Sequence, residues 1–290
     1  MRVEILNKSL NIRSPFVYRL RTNATSFKIF YELEYVRKGT FPHIGVTARE
    51  GLLVMFKRPK DKSWMVVNAY SRKSPVTVNM KLVVNEGEEY DLLIYGPMLA
   101  TFSELYLDIP EGCPIVSIEE NEIDRILIAG GNNSFGVGCT TTSMLFSNII
   151  GRKTNSIINN FSINKNNFLK EYHAMYIGGN RKVPMHDFCI LELDSYPQSE
   201  EDLEKYLKDV VDLFKSRCKK LICWFALPPE NESKKYLIKE LLKDYEDEII
   251  IEDISCIFSK EYADMCVYSN RFINDTANVM IYKKLSKWLD

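Results

Sequence analysis

The period of apolar residues changes near residue 120, and no single layer of secondary structure accommodates both patterns. Before that point, stretches such as SFKIFYELEYV, LLVMF, WMVVNAY, VTVNMKLVV, EYDLLIY and ELYLDIP alternate apolar with polar residues or run through β-branched ones. That is the period of strands. Gly39, Pro42, Gly51, Pro59, Pro75, Gly87, Pro97 and Pro110 break the runs every ten or so residues, the punctuation of an antiparallel β-sandwich. The pattern predicts a sandwich over residues 1–119, with HIGVTA as one of its strands and no need for a helix. The aromatics Phe30, Tyr31, Tyr35, Phe56, Trp64 and Tyr70 have the spacing of its core.

From residue 120 the order becomes strand, loop and longer amphipathic segment, repeated. RILIAGG leads to TTTSMLFSNIIGRK, TNSIINNFS to FLKEYHAMYIGG, DFCILELDSY to DLEKYLKDVVDLFKSRC, and KLICWFALP to KKYLIKELLKDY. EIIIEDIS and the helical TANVMIYKKLSKWL complete the chain. Alternating strands and helices predict a parallel α/β sheet over residues 120–290. The boundary falls between Pro114 and Asp124, in the acidic SIEENEID. Ligands of such sheets sit beyond the carboxyl ends of the strands, so the loops after Ile128, Asn160, Leu193 and Phe225, together with FINDTAN, are expected to share one surface.

Charge narrows the partners. The 38 basic and 39 acidic residues leave a formal net charge of -1, too balanced to hold a nucleic-acid backbone or an anionic membrane by its overall field. No stretch approaches the roughly 20 apolar residues of a membrane span, and MRVEILNKSLNIRSPF has no apolar core of the signal-peptide kind. A cytoplasmic location is expected. The seven cysteines are odd in number and lack CxxC pairs, which argues against structural zinc and a disulfide frame. No cofactor is expected: GGNNSFGVG has neither the Lys-Ser/Thr pair of a Walker A loop nor G-x-G-x-x-G spacing.

Three stretches then suggest a family. FPHIGVTAREGLLVMF and EYDLLIYGPMLATFSELYLDIPEG are similar to the β-sandwich of two-domain bacterial acyl-esterases, and the strand-loop-helix AGGNNSFGVGC resembles the first loop of an SGNH (GDSL-type) hydrolase. The resemblance covers nearly the whole chain and implies a jelly-roll-like sandwich before a three-layer α/β/α domain. It also implies where the chemistry belongs. Asn132 takes the place of the serine in the family's G-[DS]-S-x-T-x-G loop, Ile163 that of an oxyanion glycine with its backbone N–H still available, and Gln198 stands near the expected asparagine. Asp275 is retained from the D-x-x-H pair, whose histidine is replaced by Asn278.

An amide side chain neither attacks an acyl carbon nor carries a proton away from a hydroxyl. With both nucleophile and base substituted, ordinary esterase action is not expected. Two fallback nucleophiles remain. Ser134 is either a relocated hydroxyl or a cap of the following helix. Cys139 is either a thiolate favoured by a helix N-terminus or a buried packing residue. His43, His173 and His186 are not placed to act as bases, and Asp194 and Asp275 without histidine are weak metal ligands.

Asn132, Asn133, Asn164, Gln198, Asn274 and Asn278 would instead form an amide rim suited to a sugar, a peptide or another small molecule rich in hydroxyl or amide groups. They are equally explained as solvated turn formers. Two functions stay open. One is a non-hydrolytic binding or accessory protein for a glycoconjugate, peptide or acylated metabolite, with room for a protein partner. The other is a divergent acyl-transfer or ester-hydrolysing enzyme using Cys139 or Ser134.

Overall fold

The computed structural model describes residues 1–6, 16–38, 44–69, 74–117, 124–194, 198–269 and 272–289. His43, Tyr70 and most of the acidic boundary segment lie outside the described residues. The chain divides into two units, one of Met1–Glu119 with Thr140–Ser143, the other of Glu120–Cys139 with Met144–Asp290.

The first unit contains β1 (Arg2–Leu6), β2 (Val17–Thr22), β3 (Ser26–Val36), α1 (Val46–Glu50), β4 (Leu52–Lys57), β5 (Met65–Ala69), β6 (Val76–Lys81), β7 (Tyr90–Tyr95), β8 (Ala100–Asp108) and β9 (Val116–Ser117). Among the described residues these strands form two antiparallel sheets, ordered β1-β8-β3-β6 and β5-β4-β7-β2-β9. Alternation along β3 explains the layering, since Phe27, Ile29 and Tyr31 are buried while Ser26 and Lys28 are exposed. The inward set meets Leu20, Val54, Phe56, Leu92 and Ile94 of the other sheet in one core, as the period-2 pattern requires.

Two expectations for this half are corrected. The described part of HIGVTA, from Ile44, is not a strand: Val46–Glu50 form the short α1, where the carbonyls of Ala48 and Arg49 accept the N–H groups of Met98 and Leu99 at 2.7 and 3.2 Å and Ala48 is buried. Those pairings lie about 50 residues away in sequence and outweigh local propensity. The aromatics also divide: Tyr31 and Phe56 are core residues, whereas Tyr35 is 59% exposed and Phe30 is only partly buried.

The second unit contains β10 (Arg125–Ala129), α2 (Asn132–Phe135), α3 (Phe146–Thr154), β11 (Ile157–Asn160), α4 (Phe168–Tyr172), β12 (His186–Glu192), α5 (Glu200–Lys215), β13 (Cys218–Phe225), α6 (Glu232–Leu242), β14 (Ile250–Asp253), α7 (Ala263–Cys266), β15 (Val267–Ser269), β16 (Phe272–Ile273) and α8 (Asp275–Leu285). Among the described residues, five strands run parallel in the order β11-β10-β12-β13-β14. By position along the chain this is 2-1-3-4-5, so the direction of winding reverses between β10 and β12. Cys189, Ile190 and Leu191 of β12 are all buried, as befits a strand covered on both faces. Helix α5 turns Leu203, Leu207, Val210, Val211 and Phe214 to the core, a helical stripe, and starts where Ser199 accepts the Asp202 N–H at 3.1 Å. Among the described residues, no helix is long and apolar enough to cross a membrane.

Candidate functional site at the sheet reversal

Strands β10 and β12 stay paired to Ala129 and Leu191, at their carboxyl ends, and the turn after β10 closes over Glu192, the next residue of β12. Gly130 permits this closure. A Cβ there would stand 2.4 Å from the Glu192 Cβ and 2.7 Å from the Ser134 hydroxyl, so no larger residue fits. The Tyr172 hydroxyl, fully buried, receives the Gly130 N–H at 2.9 Å and donates toward the Phe161 carbonyl at 2.9 Å. This ties the turn after β10 to the loop after β11. Burial holds the Tyr172 phenol well above its ordinary pKa, which keeps it a donor.

Glu192, the last residue of β12 and wholly buried, governs the turn after β10. Its Oε2 accepts the N–H groups of Gly131 at 3.0 Å and Ser134 at 2.9 Å, and its Oε1 accepts the Asn133 amide at 3.0 Å. These are the kind of converging backbone donors that an oxyanion or phosphate would seek. Here the chain's own carboxylate holds them. Neither Glu192 nor Tyr172 is among the residues expected from the sequence. A charge inside the apolar run CILEL is the signal that could have found Glu192, whereas Tyr172 resembles any aromatic on a helix stripe.

The predicted site residues fall into three groups. Asn132 reaches the loop after β11, its amide donating to Asn166 at 3.1 Å, and Asn133 is held by Glu192. Ile163 and Asn164 are half-buried in that same loop. The Ile163 N–H is not available as expected, since it donates to the Gly130 carbonyl at 2.9 Å. These residues cluster around the turn after β10.

Gln198 belongs to another group, beside Asp194 and Lys234. The Lys234 ammonium donates to the Gln198 backbone carbonyl and lies 3.7 Å from the Asp194 carboxylate, both side chains being buried. The Gln198 amide is 2% exposed, and neither of its polar atoms has a hydrogen-bond partner among the described residues.

Asp275, Asn274 and Asn278 form the third group, at the start of α8. Asn274 caps the helix, accepting the N–H groups of Thr276 and Ala277 at 2.9 and 3.2 Å. Asn278 is fully buried with both ends of its amide engaged: Oδ1 accepts the Phe146 N–H at 2.9 Å and Nδ2 donates to the Asn274 carbonyl at 2.9 Å. It serves as the cap of α3, supplied from another helix. Asp275 is half-buried in the first turn of α8.

Neither fallback nucleophile stands open. Cys139 is completely buried in a turn rather than at a helix N-terminus, and burial, with the nearby Asp275 charge adding to it, pushes its thiol well above the ordinary range. Ser134 is also completely buried, inside α2 rather than capping a helix, and its Oγ has no hydrogen-bond partner among the described residues. His186 lies at the amino end of β12, with Nδ1 on the Pro184 carbonyl and Nε2 on the Asn159 amide, each at 2.9 Å. His173 faces Asp209 at 3.2 Å.

No family model and no curated protein sequence matches this chain. Solved structures do. A GDSL-like lipase from Bacteroides ovatus ATCC 8483 superposes with a TM-score of 0.72 at 17% identity, covering 94% of this chain and 84% of that one. A family two carbohydrate esterase from Clostridium thermocellum, in complex with cellohexaose, has a TM-score of 0.59 at 10% identity over 96% and 92%. A salicylyl-acyltransferase from a tetracycline biosynthetic pathway has a TM-score of 0.63 at 13% identity over 92% and 80%. At such identities the likeness is one of fold.

Proposed function

We propose that this chain, which has the SGNH-type fold, is a non-hydrolytic binding or accessory protein whose ligand sits at the carboxyl edge of the parallel sheet. The observation that carries this reading is the Glu192 carboxylate on the Gly131 and Ser134 N–H groups. Acyl transfer develops negative charge that must meet free donors, and a resident carboxylate takes the Gly131 and Ser134 N–H groups and repels the charge. Asn132 at the serine position of the resembled family, and Asn278 engaged in capping α3, supply neither nucleophile nor base.

The ligand is one rich in hydroxyl or amide groups, such as a glycoconjugate, a peptide or an acylated metabolite. Asn132, Asn164, Gln198 and Asp275 are the residues offered to it, with Asn133 held in place by Glu192 and the Ile163 N–H taken by Gly130. The Gln198 amide supports this assignment, because a buried amide left unmet costs about 1–3 kcal/mol and a carbonyl or hydroxyl of a ligand satisfies both its ends. The oligosaccharide complex of the carbohydrate esterase with the same fold makes sugars the first ligands to try.

The test has two parts. The protein is incubated with a panel of p-nitrophenyl acyl esters and an acyl-fluorophosphonate probe, with no turnover and no labelling expected. Calorimetric titration with cello-oligosaccharides, N-acetylated sugars and short peptides is expected to give binding that Gln198→Leu weakens. Turnover abolished by Ser134→Ala or Cys139→Ala would overturn the binding reading in favour of an enzyme with a relocated nucleophile.

A further inference from the structure

Gln198 has no part in the local fold that its side chain must play. It stands directly before Ser199, which caps α5, and its backbone carbonyl is fixed by the Lys234 ammonium of α6. The residue is therefore pinned through its backbone. Its side-chain amide is 2% exposed, and among the described residues neither Oε1 nor Nε2 has a hydrogen-bond partner. One planar group thus holds a buried donor and a buried acceptor, both unmet. That state costs free energy, and a ligand that pairs with both atoms removes the cost.

The surroundings narrow what such a ligand presents. Asp194 and Lys234 are both buried and stand 3.7 Å apart with opposite charges, so the pair calls for neither an anion nor a cation beside it. A carboxylate brings acceptors only and leaves Oε1 unmet, whereas an ammonium brings donors only and leaves Nε2 unmet. A single hydroxyl that bridges the two bends both hydrogen bonds away from the straight geometry they prefer. A trans secondary amide, the form of a peptide bond and of an acetamido group, points its N–H and C=O in opposite directions and meets one end of Gln198 at a time. Straight bonds to both ends require an N–H and an acceptor side by side. A primary carboxamide and an imide ring such as uracil carry that pair, and glutamine reads the matching pair on adenine in the same bidentate manner.

We infer that Gln198 takes its ligand through an N–H and a carbonyl lying side by side, Oε1 accepting the one and Nε2 donating to the other. The inference rests on the reading of the sheet's carboxyl edge as a ligand site, and adds the chemical group that the site selects.

Ligand-observed NMR titration of the full chain with nicotinamide, N-methylnicotinamide, uridine, 3-methyluridine and cellobiose tests it. Methylation turns the nicotinamide N–H away from its carbonyl, and removes the ring N–H of uridine. At least one of nicotinamide and uridine is expected to bind, with its methylated form at least about tenfold weaker, and the stronger of the two assigns the group as carboxamide or imide. Gln198→Glu keeps the shape and loses the donor, and Gln198→Met removes both ends; each is expected to weaken binding by about tenfold or more. Without ligand, Gln198→Met is expected to raise the thermal midpoint, because the unmet groups are gone. The same measurement checks the fold of both variants, and if Gln198→Glu unfolds, Gln198→Met carries the binding readout. Failure of both nicotinamide and uridine to bind overturns the inference. So do methylated forms that bind as tightly, binding untouched by the Gln198 changes, or a lower midpoint for Gln198→Met, which would mean that the amide is already met in the free protein. Cellobiose binding in any of those cases overturns this inference alone and leaves the ligand site standing. Turnover of p-nitrophenyl esters overturns the non-hydrolytic reading instead, while the nicotinamide and uridine comparisons still decide the group that Gln198 selects.

Discussion

Glu192 Oε2 accepts the Ser134 N–H at 2.9 Å from beneath the turn that Ser134 helps to form. Gly131 donates to the same oxygen and Asn133 to the other, so one carboxylate organises the whole of α2. Glu192→Ala leaves three buried donors without an acceptor and is expected to destabilise the protein by about 3 kcal/mol or more. Glu192→Gln keeps an oxygen for the two backbone donors, and a flipped Asn133 amide accepts from its nitrogen, so its cost is expected at about 1 kcal/mol. Urea unfolding of the two variants measures the difference, and equal losses would remove the hub role assigned to Glu192.

Asn278 joins two helices through one amide. Asn278→Ala leaves the buried Phe146 N–H unmet, while the Asn274 carbonyl keeps the backbone N–H of residue 278, and a loss of about 1–2 kcal/mol is expected. Chemical denaturation measures it. A neutral substitution would mean that the amide faces a ligand instead of capping α3.

Cys139 is expected to resist thiol reagents in the folded protein, because it is completely buried and its thiol is held protonated. Cys256 is exposed and is expected to react first. Timed labelling with a chromogenic disulfide at neutral pH, compared between the protein and Cys139→Ala, is expected to give the same early phase. A fast phase lost in that variant would reopen Cys139 as a nucleophile.

His186 links stability to pH. Burial, aided by Arg125, lowers its pKa below the ordinary 6.5, against smaller opposing effects of the Pro184 carbonyl and Asp187. The unfolded chain therefore binds the proton more readily than the native protein does. The contribution of neutral His186 is fully present above about pH 6.5 and is lost as pH falls through the folded pKa. Thermal midpoints measured downward from pH 7.5 are expected to fall below that point, and His186→Gln is expected to flatten the decline. An unchanged slope would show that His186 titrates alike in both states.

The two folds were legible because burial imposes a period on the chain. The alternation of SFKIFYELEYV and the unbroken apolar run FCIL each fit one kind of sheet, the former with one wet face and the latter with none. The order of a β-sandwich before a parallel α/β unit could be reached from such runs together with the three stretches that carry the resemblance. Helix α1 was not legible, since what makes Val46–Glu50 helical is the N–H groups of Met98 and Leu99, and no window around HIGVTA contains them.

The candidate site divides in the same way. Which residue types are present was fixed by the chain alone: Asn132 and Asn278 carry amides, and no packing turns an amide into a nucleophile or a base. What those amides do was decided only by the tertiary structure, because hydrogen bonds saturate. An amide group is available to a ligand only if no partner from a distant strand or helix has already met it. Asn278 is spent on Phe146, the Ile163 N–H on Gly130, and the Gly131 and Ser134 N–H groups on Glu192, while Gln198 keeps both ends of its amide unmet among the described residues.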